Sequence, residues 1–359
     1  MGCCEATNPN LIGIAPEAFS SEDFELDRRS ALKSLLGVAG VIAVTSTITT
    51  KANAEAKTLR LAFCGQLLCV VPYEVTRARG HFEEQGLKVE LVYTRGGNAA
   101  MQALVGGSVD YAGSSFDVAL QAFSNGAKIR RFASTGRLPL FALAVSPARK
   151  DEIVSVGDLA GTTVGVSALG NADHALLLFL LAQAGVDPQS VSFATLGTNL
   201  YDAVRLGQVD AAMVQEPALS LIVEAGGREL VNIMEIAQAT EYLGGAYEFM
   251  GVAVRAEERD QRLEEMRRLA EALRKGLADT RTISPDEIVA SLPEALIAGG
   301  NVEQLKQIIA RYRTSLYPES VMIDTEAARR VMQAHIAAGI LGPDGVDLST
   351  LLDTAALEG

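Results

Sequence analysis

Along the chain, short apolar runs alternate with segments whose apolar residues recur every three or four positions, the pattern of strands feeding amphipathic helices. Residues 58–63 read as a buried strand, 64–71 as a loop and 72–81 as a helix; 162–166, 167–170 and 171–184 repeat that order. A second round follows each. Residues 86–91 form a strand ahead of a helix over 98–105, and 185–196 precede a helix over 198–206. Gly107-Ser-Val-Asp-Tyr-Ala112 then returns as Gly207-Gln-Val-Asp-Ala-Ala212. Gly107 and Gly207 stand where a helix ends and a residue without Cβ can turn left-handed. The unit is therefore βαβαβ, used twice. Strand and helix in alternation predict parallel sheets with helices on both faces, and the duplication predicts an α/β protein of two similar doubly wound lobes. Beyond a strand over 249–254, helical patterns at 257–278, 285–292, 302–315 and 325–338 have no counterpart in the repeat. These extra C-terminal helices are expected to complete the first lobe and cover its back.

Composition narrows the function. With 31 basic and 44 acidic residues the net charge is −13, and no Lys/Arg block relieves it. Phosphate neutralisation is thus unavailable and a nucleic-acid partner is excluded. The histidines, His81, His174 and His335, lie far apart, and the cysteines fall as Cys3 with Cys4 and Cys64 with Cys69. No zinc-ligand spacing results, so neither metal nor cofactor is expected. No Gly-x-Ser-x-Gly or Walker motif is present, which argues for a binding protein over an enzyme.

The first residues carry an address. Basic residues within 27–33, a mild apolar run over 35–44 and small-residue sites at Ala52-Asn53-Ala54 and Ala54-Glu55-Ala56 follow the order of a signal peptide. Arg28 and Arg29 with Leu32 and Lys33 resemble a twin-arginine signal. The run falls short of the roughly 20 apolar residues that span a bilayer. The expected division is an export signal with its leader over 1–56, the first part of lobe 1 over 57–144, lobe 2 over 145–247, and completion of lobe 1 with the C-terminal helices over 248–359. The expected location is periplasmic or extracytoplasmic. Export would permit a disulfide between Cys64 and Cys69; two buried free thiols are an equal alternative.

Three stretches carry a family likeness: Pro72-Tyr-Glu-Val-Thr-Arg through Gly86-Leu-Lys-Val-Glu-Leu91, Ser155-Val-Gly-Asp-Leu-Ala-Gly161, and Leu206-Gly-Gln-Val-Asp-Ala-Ala-Met-Val-Gln-Glu-Pro217. In order and spacing, residues 57–255 resemble the substrate-binding proteins of the nitrate, sulfonate and taurine class of ABC importers. The resemblance implies the type II periplasmic-binding fold: two α/β lobes joined by two crossings, here near residues 141–147 and 245–252, closing on a small-molecule ligand. It also implies a monomer that meets a membrane permease and its ATPase. Yeast-type thiamine-pyrimidine synthases resemble the same proteins, so such an enzyme, or a pyrimidine-precursor binding protein, is the alternative. Their cysteine-rich active-site segment and donor histidine are poorly matched here.

Ligands of open α/β sheets gather beyond the carboxyl ends of strands, where helix N-termini present free N–H groups. Applied to each repeat, that rule selects loops at 64–68, 113–116, 167–171 and 215–217. The candidate ligand-binding residues are Gly65, Gln66, Ser114, Ser115, Ser167, Asn171, Gln215 and Glu216. Glu216, Asp117 and Asp173 stand near predicted helix starts, where each carboxylate competes with an anionic ligand for the same donors. Arg95 and Arg137 could compensate. This inventory favours a zwitterion, an organic sulfonate or a neutral heterocycle over a bare inorganic anion such as nitrate. Without Trp, aromatic stacking falls to Tyr73, Phe116, Phe141, Tyr201 or Tyr247.

Overall fold

A computed structural model describes residues 58–297 and 300–357. The export segment expected over 1–56, with Cys3 and Cys4, lies outside the described residues. The chain opens with β1 (Thr58–Cys64), α1 (Leu67–Ala78), α2 (His81–Glu84), β2 (Lys88–Thr94), α3 (Gly97–Val105), β3 (Tyr111–Ser115), α4 (Phe116–Ser124) and β4 (Ile129–Ser134). It crosses into β5 (Ala142–Val145), β6 (Thr163–Val166), α5 (Ala172–Gln183), β7 (Ser192–Thr195), α6 (Leu200–Arg205), β8 (Ala211–Val214), α7 (Ala218–Glu224), β9 (Arg228–Asn232) and α8 (Ile236–Leu243). It then returns through β10 (Met250–Arg255) to α9 (Leu263–Thr282), α10 (Pro285–Ser291), α11 (Glu294–Ile297), α12 (Val302–Leu316), α13 (Thr325–Ala337) and α14 (Leu348–Leu351). No helix among the described residues is long and apolar enough to cross a membrane.

Two five-stranded sheets result, in the orders β2-β1-β3-β10-β4 and β7-β6-β8-β5-β9. Fully buried Leu61, Phe63 and Phe132 centre the first core, and Val164, Leu177 and Ala212 the second. β1 runs parallel to β2 and β3, and β6 to β7 and β8, as the alternation predicts. β10 and β5, however, run antiparallel to both their neighbours, so the sheets are mixed and not parallel throughout. Each reversed strand is the one that arrives directly from the other lobe. It enters without a helical crossover, and nothing obliges it to run parallel. Because all of β5 pairs in the second sheet, the first crossing occupies residues 135–141, ahead of the expected 141–147, and a boundary at 144/145 would cut the strand. The second crossing occupies residues 244–249.

The repeated aspartate explains why the motif recurs. In lobe 1 the Asp110 carboxylate accepts from the Arg60 N–H at 2.9 Å, while the Asp110 N–H donates to the Arg60 carbonyl at 2.9 Å. Asp210 makes the same two-way clamp with Thr163, at 2.8 and 2.9 Å. Gly107 and Gly207 have φ of 75° and 68°, the left-handed helix ends the sequence calls for. The motif thus ties the end of the second helix of each unit to its first strand.

Helix α1 starts at Leu67, inside the segment expected to be a loop, and contains Pro72. Proline cannot donate to the carbonyl four residues back. The orphaned Leu68 carbonyl instead accepts from the Tyr317 hydroxyl at 2.8 Å, so a distant C-terminal residue completes the helix. Helix α9 lies against α1 at Gly276, where an added Cβ would stand 1.8 Å from Thr76 Oγ1. The C-terminal helices do more than cover the back of lobe 1. Arg311 of α12 donates to Glu235 at 2.7 Å, the Tyr312 hydroxyl accepts from Asn232 at 2.9 Å, and α13 packs on both α4 and α5. They strap the two lobes together.

The crossings themselves are pinned in lobe 1. Buried Arg131 donates to the Ser114 carbonyl at 3.0 Å, the Phe249 carbonyl at 2.7 Å and the Glu248 carboxylate at 3.1 Å. Phe141 and Phe249, one from each crossing, meet edge to face with centroids 5.9 Å apart.

Candidate ligand-binding cleft

A cavity of about 510 Å³ lies where the carboxyl ends of β1, β2 and β3 face those of β6, β7 and β8. That size suits a small organic molecule. Gly65, Gln66, Ser115, Ser167, Asn171, Gln215 and Glu216 all line it. Ser114 does not. It is fully buried in β3, its carbonyl held by Arg131 and its hydroxyl turned to the Ser115 carbonyl at 3.3 Å. Successive side chains of a strand point to opposite faces, so adjacent serines cannot both face the cleft.

The loops after β2 and β7 were not among the expected four, yet Arg95, Gly96, Gly97 and Asn98 line the cavity opposite Gly197 and Thr198. The paired glycines of the repeat were the available signal, since the strand-end rule applies to every parallel strand. The apolar walls also include Phe141 and Phe249 from the crossings, Met213 and Met250 from β8 and β10, and Leu296 and Leu305 from α11 and α12. Among the aromatics considered for stacking, only Phe141 lines the cavity. Tyr73 stacks on Phe63 in the core, Phe116 lies under the Arg131 guanidinium, Tyr201 faces Arg205, and the Tyr247 hydroxyl donates to Asp117 at 3.1 Å.

The acids of lobe 2 are already occupied. Asp173 accepts from the Ser167 N–H at 2.5 Å and its hydroxyl at 2.8 Å, and Ser167 in turn accepts from Asn171 at 2.9 Å. Glu216, buried at the start of α7, takes the Ser220 N–H and hydroxyl, each at 3.0 Å. Burial pushes both carboxyls above their usual range, against the pull of those hydrogen bonds. In lobe 1, Ser115 caps α4 by accepting from the Val118 N–H at 3.3 Å, and Asp117 sits behind it in the core, also raised by burial.

The starts of α1 and α3 differ. Neither has an acidic residue in its first turn, and among the described residues no carboxylate accepts from a first-turn N–H of either. Both open on the cavity through Gln66, Leu67, Gly97, Asn98 and Ala99. Exposed Arg95 stands beside them with no ion-pair partner among the described residues. Arg137 is not available as a second cation, because its guanidinium is spent on the Ser315 and Thr314 carbonyls at 2.9 and 2.6 Å. Gln66 Oε1 is buried without a hydrogen-bond partner among the described residues. Across the cleft, Asn98 donates to the Asn171 side-chain carbonyl, a direct lobe-to-lobe bond.

The NMT1/THI5-like family profile matches residues 70–288, more than half of the chain. The protein belongs to the NMT1/THI5-like family. No curated protein matches it in sequence. Its fold is shared with several solved structures. A protein of Bordetella bronchiseptica RB50 is 24% identical, with a TM-score of 0.74 over 84% of this chain and 96% of that one. The periplasmic aliphatic sulphonate binding protein SsuA of Escherichia coli is 19% identical, with a TM-score of 0.66 over 84% of this chain and 99% of SsuA. The periplasmic nitrate-binding protein NrtA of Synechocystis PCC 6803 is 15% identical, with a TM-score of 0.66 over 85% and 88%. This NMT1/THI5-like chain therefore has the periplasmic-binding-protein fold, with extra C-terminal helices.

Proposed function

We propose that this protein is the extracytoplasmic solute-binding component of an ABC importer, and that its ligand is a small organic anion with an apolar body, of the alkanesulfonate type. The observation that carries this reading is the asymmetry of the cleft. On the lobe 1 side, two helix starts without an acid in the first turn and an arginine with no ion-pair partner among the described residues offer an anion its donors and charge. The walls around them are apolar, with Phe141, Phe249, Met213 and Met250 suited to a carbon chain or ring. A bare nitrate would leave those walls in contact with water. The unpartnered Gln66 carbonyl adds a place for one donor of the ligand, such as a taurine ammonium. The signal expected over 27–56 fits delivery by a twin-arginine route, and the partners are a membrane permease and its ATPase. The receptor acts as a monomer, each chain holding one solute and closing about residues 135–141 and 244–249.

The test is a thermal-shift panel of alkanesulfonates, taurine, aromatic acids, pyrimidines and nitrate, with recovery of the added compound. An organic anion is expected to raise the melting temperature and to be recovered unchanged. Saturation at about 100 Kd stabilises by about 2.7 kcal/mol. A panel without effect, or recovery of a converted product, would count against the receptor.

A further inference from the structure

The cysteine pair in the cleft has no part in holding an anion. Cys64 ends β1 and Cys69 lies in the first turn of α1. Both are buried free thiols, and both line the cavity. The chain between them, Gly65 to Leu68, turns from strand into helix and sets both thiols on the wall of one cavity. We infer that Cys64 and Cys69 form a dithiol–disulfide site in the cleft wall, which a small disulfide entering the cavity oxidises.

With both thiols on one cavity wall and only Gly65 to Leu68 between them, the bond forms when the helix start approaches the strand end to disulfide distance. The pair is also polarised. The interaction between the two thiols holds Cys64 below its usual value and Cys69 above it. Cys64 is thus the attacking group. Its thiolate attacks one sulfur of the entering disulfide, forming a mixed disulfide and expelling one thiolate, which takes up the proton Cys64 has lost. Cys69 then gives its proton to solvent and attacks Cys64 Sγ, expelling the second half of the reagent as a thiol. The protein loses two protons and two electrons, and the entering disulfide gains them as two thiols. Since the cavity is the path to both sulfurs, a solute bound there blocks the reaction. Only this shielding rests on the solute-binding reading.

The experiment treats the reduced full-length protein with hydroxyethyl disulfide, alkylates it after unfolding, and maps the tryptic peptide 61–77, which carries both cysteines between Arg60 and Arg77. The expected peptide is lighter by two hydrogens and carries no alkyl group. In separate samples of reduced protein, phenylarsine oxide should bridge the pair with loss of one water, and Cys69→Ser should abolish that adduct. Any panel compound that stabilises the protein should slow oxidation at least fivefold. A peptide that stays doubly alkylated, or that carries reagent on each cysteine, overturns the site. Undiminished oxidation in the presence of a stabilising solute overturns its placement in the cleft wall. If no compound stabilises the protein and the disulfide still forms, the redox site stands and the solute-binding reading fails.

Discussion

The two lobes share a chain pattern down to the aspartate that clamps the first strand, yet they present opposite electrostatics to the cleft. In lobe 2 the acids near the starts of α5 and α7 are held by that lobe's own donors, Asp173 by Ser167 and Glu216 by Ser220. Lobe 1 leaves α1 and α3 open beside Arg95. Duplicated architecture thus fixes where the loops lie, and a few differences near the helix starts set which of them face the cleft without a carboxylate. Of the acids read from sequence as competitors of an anion, Asp173 and Glu216 are held by donors of lobe 2, and Asp117 lies in the core of lobe 1 behind Ser115.

The comparison can be broken from either side. Asp173→Ala removes the acceptor of two Ser167 donors and should cost about 1–3 kcal/mol in urea unfolding while affinity for an anionic solute changes little. A large affinity loss with intact stability would move the anion to lobe 2. Ala99→Asp gives α3 the carboxylate that lobe 2 already has. Calorimetry should show binding at least tenfold weaker, about 1.4 kcal/mol, with stability unchanged or raised by about 0.3–1 kcal/mol. Arg95→Gln removes an exposed cation, and solvent screening limits its effect to about two- to fivefold in Kd, more at low salt than at high. Unchanged affinity at low salt would remove Arg95 from the site.

Glu216→Gln should have the smallest effect. The Ser220 hydroxyl can reverse its hydrogen bond to the new amide, so affinity should stay within about twofold and stability within about 1 kcal/mol. Its pH signature is the sharper readout. Burial raises the folded carboxyl, so the folded state holds its proton more tightly than the unfolded chain. That contribution to stability is full below the unfolded value, about 4.3, and is lost as pH rises through the raised folded value. Urea midpoints measured from pH 4 to 7 should fall less steeply in Glu216→Gln than in the parent. An identical slope would mean that Glu216 titrates normally.

Most strands and helices were legible because period-2 and period-3.6 patterns survive in each unit, and the glycines of the repeat mark its helix ends. What stayed hidden depends on distant partners. The helical start at Leu67 was masked by Pro72, whose cost is offset by Tyr317, 249 residues beyond the carbonyl it satisfies. The reversal of β5 and β10 follows from crossings between lobes, which local periodicity does not record. Seven of the eight candidate residues line the cavity because the strand-end rule is geometric. Ser114 failed on strand alternation, which the sequence did contain. That Asp173 and Glu216 are capped from within could not be read from residue type alone, since it depends on where Ser167 and Ser220 point.

In the proposed receptor one organic anion binds between the lobes with its charged end on lobe 1. Isothermal titration of the protein and of Ala99→Asp with the stabilising alkanesulfonate tests it most directly. One site per chain is expected in the parent, with at least tenfold weaker binding in the variant. Equal affinity in the two proteins, or no binding heat in the parent, would contradict it.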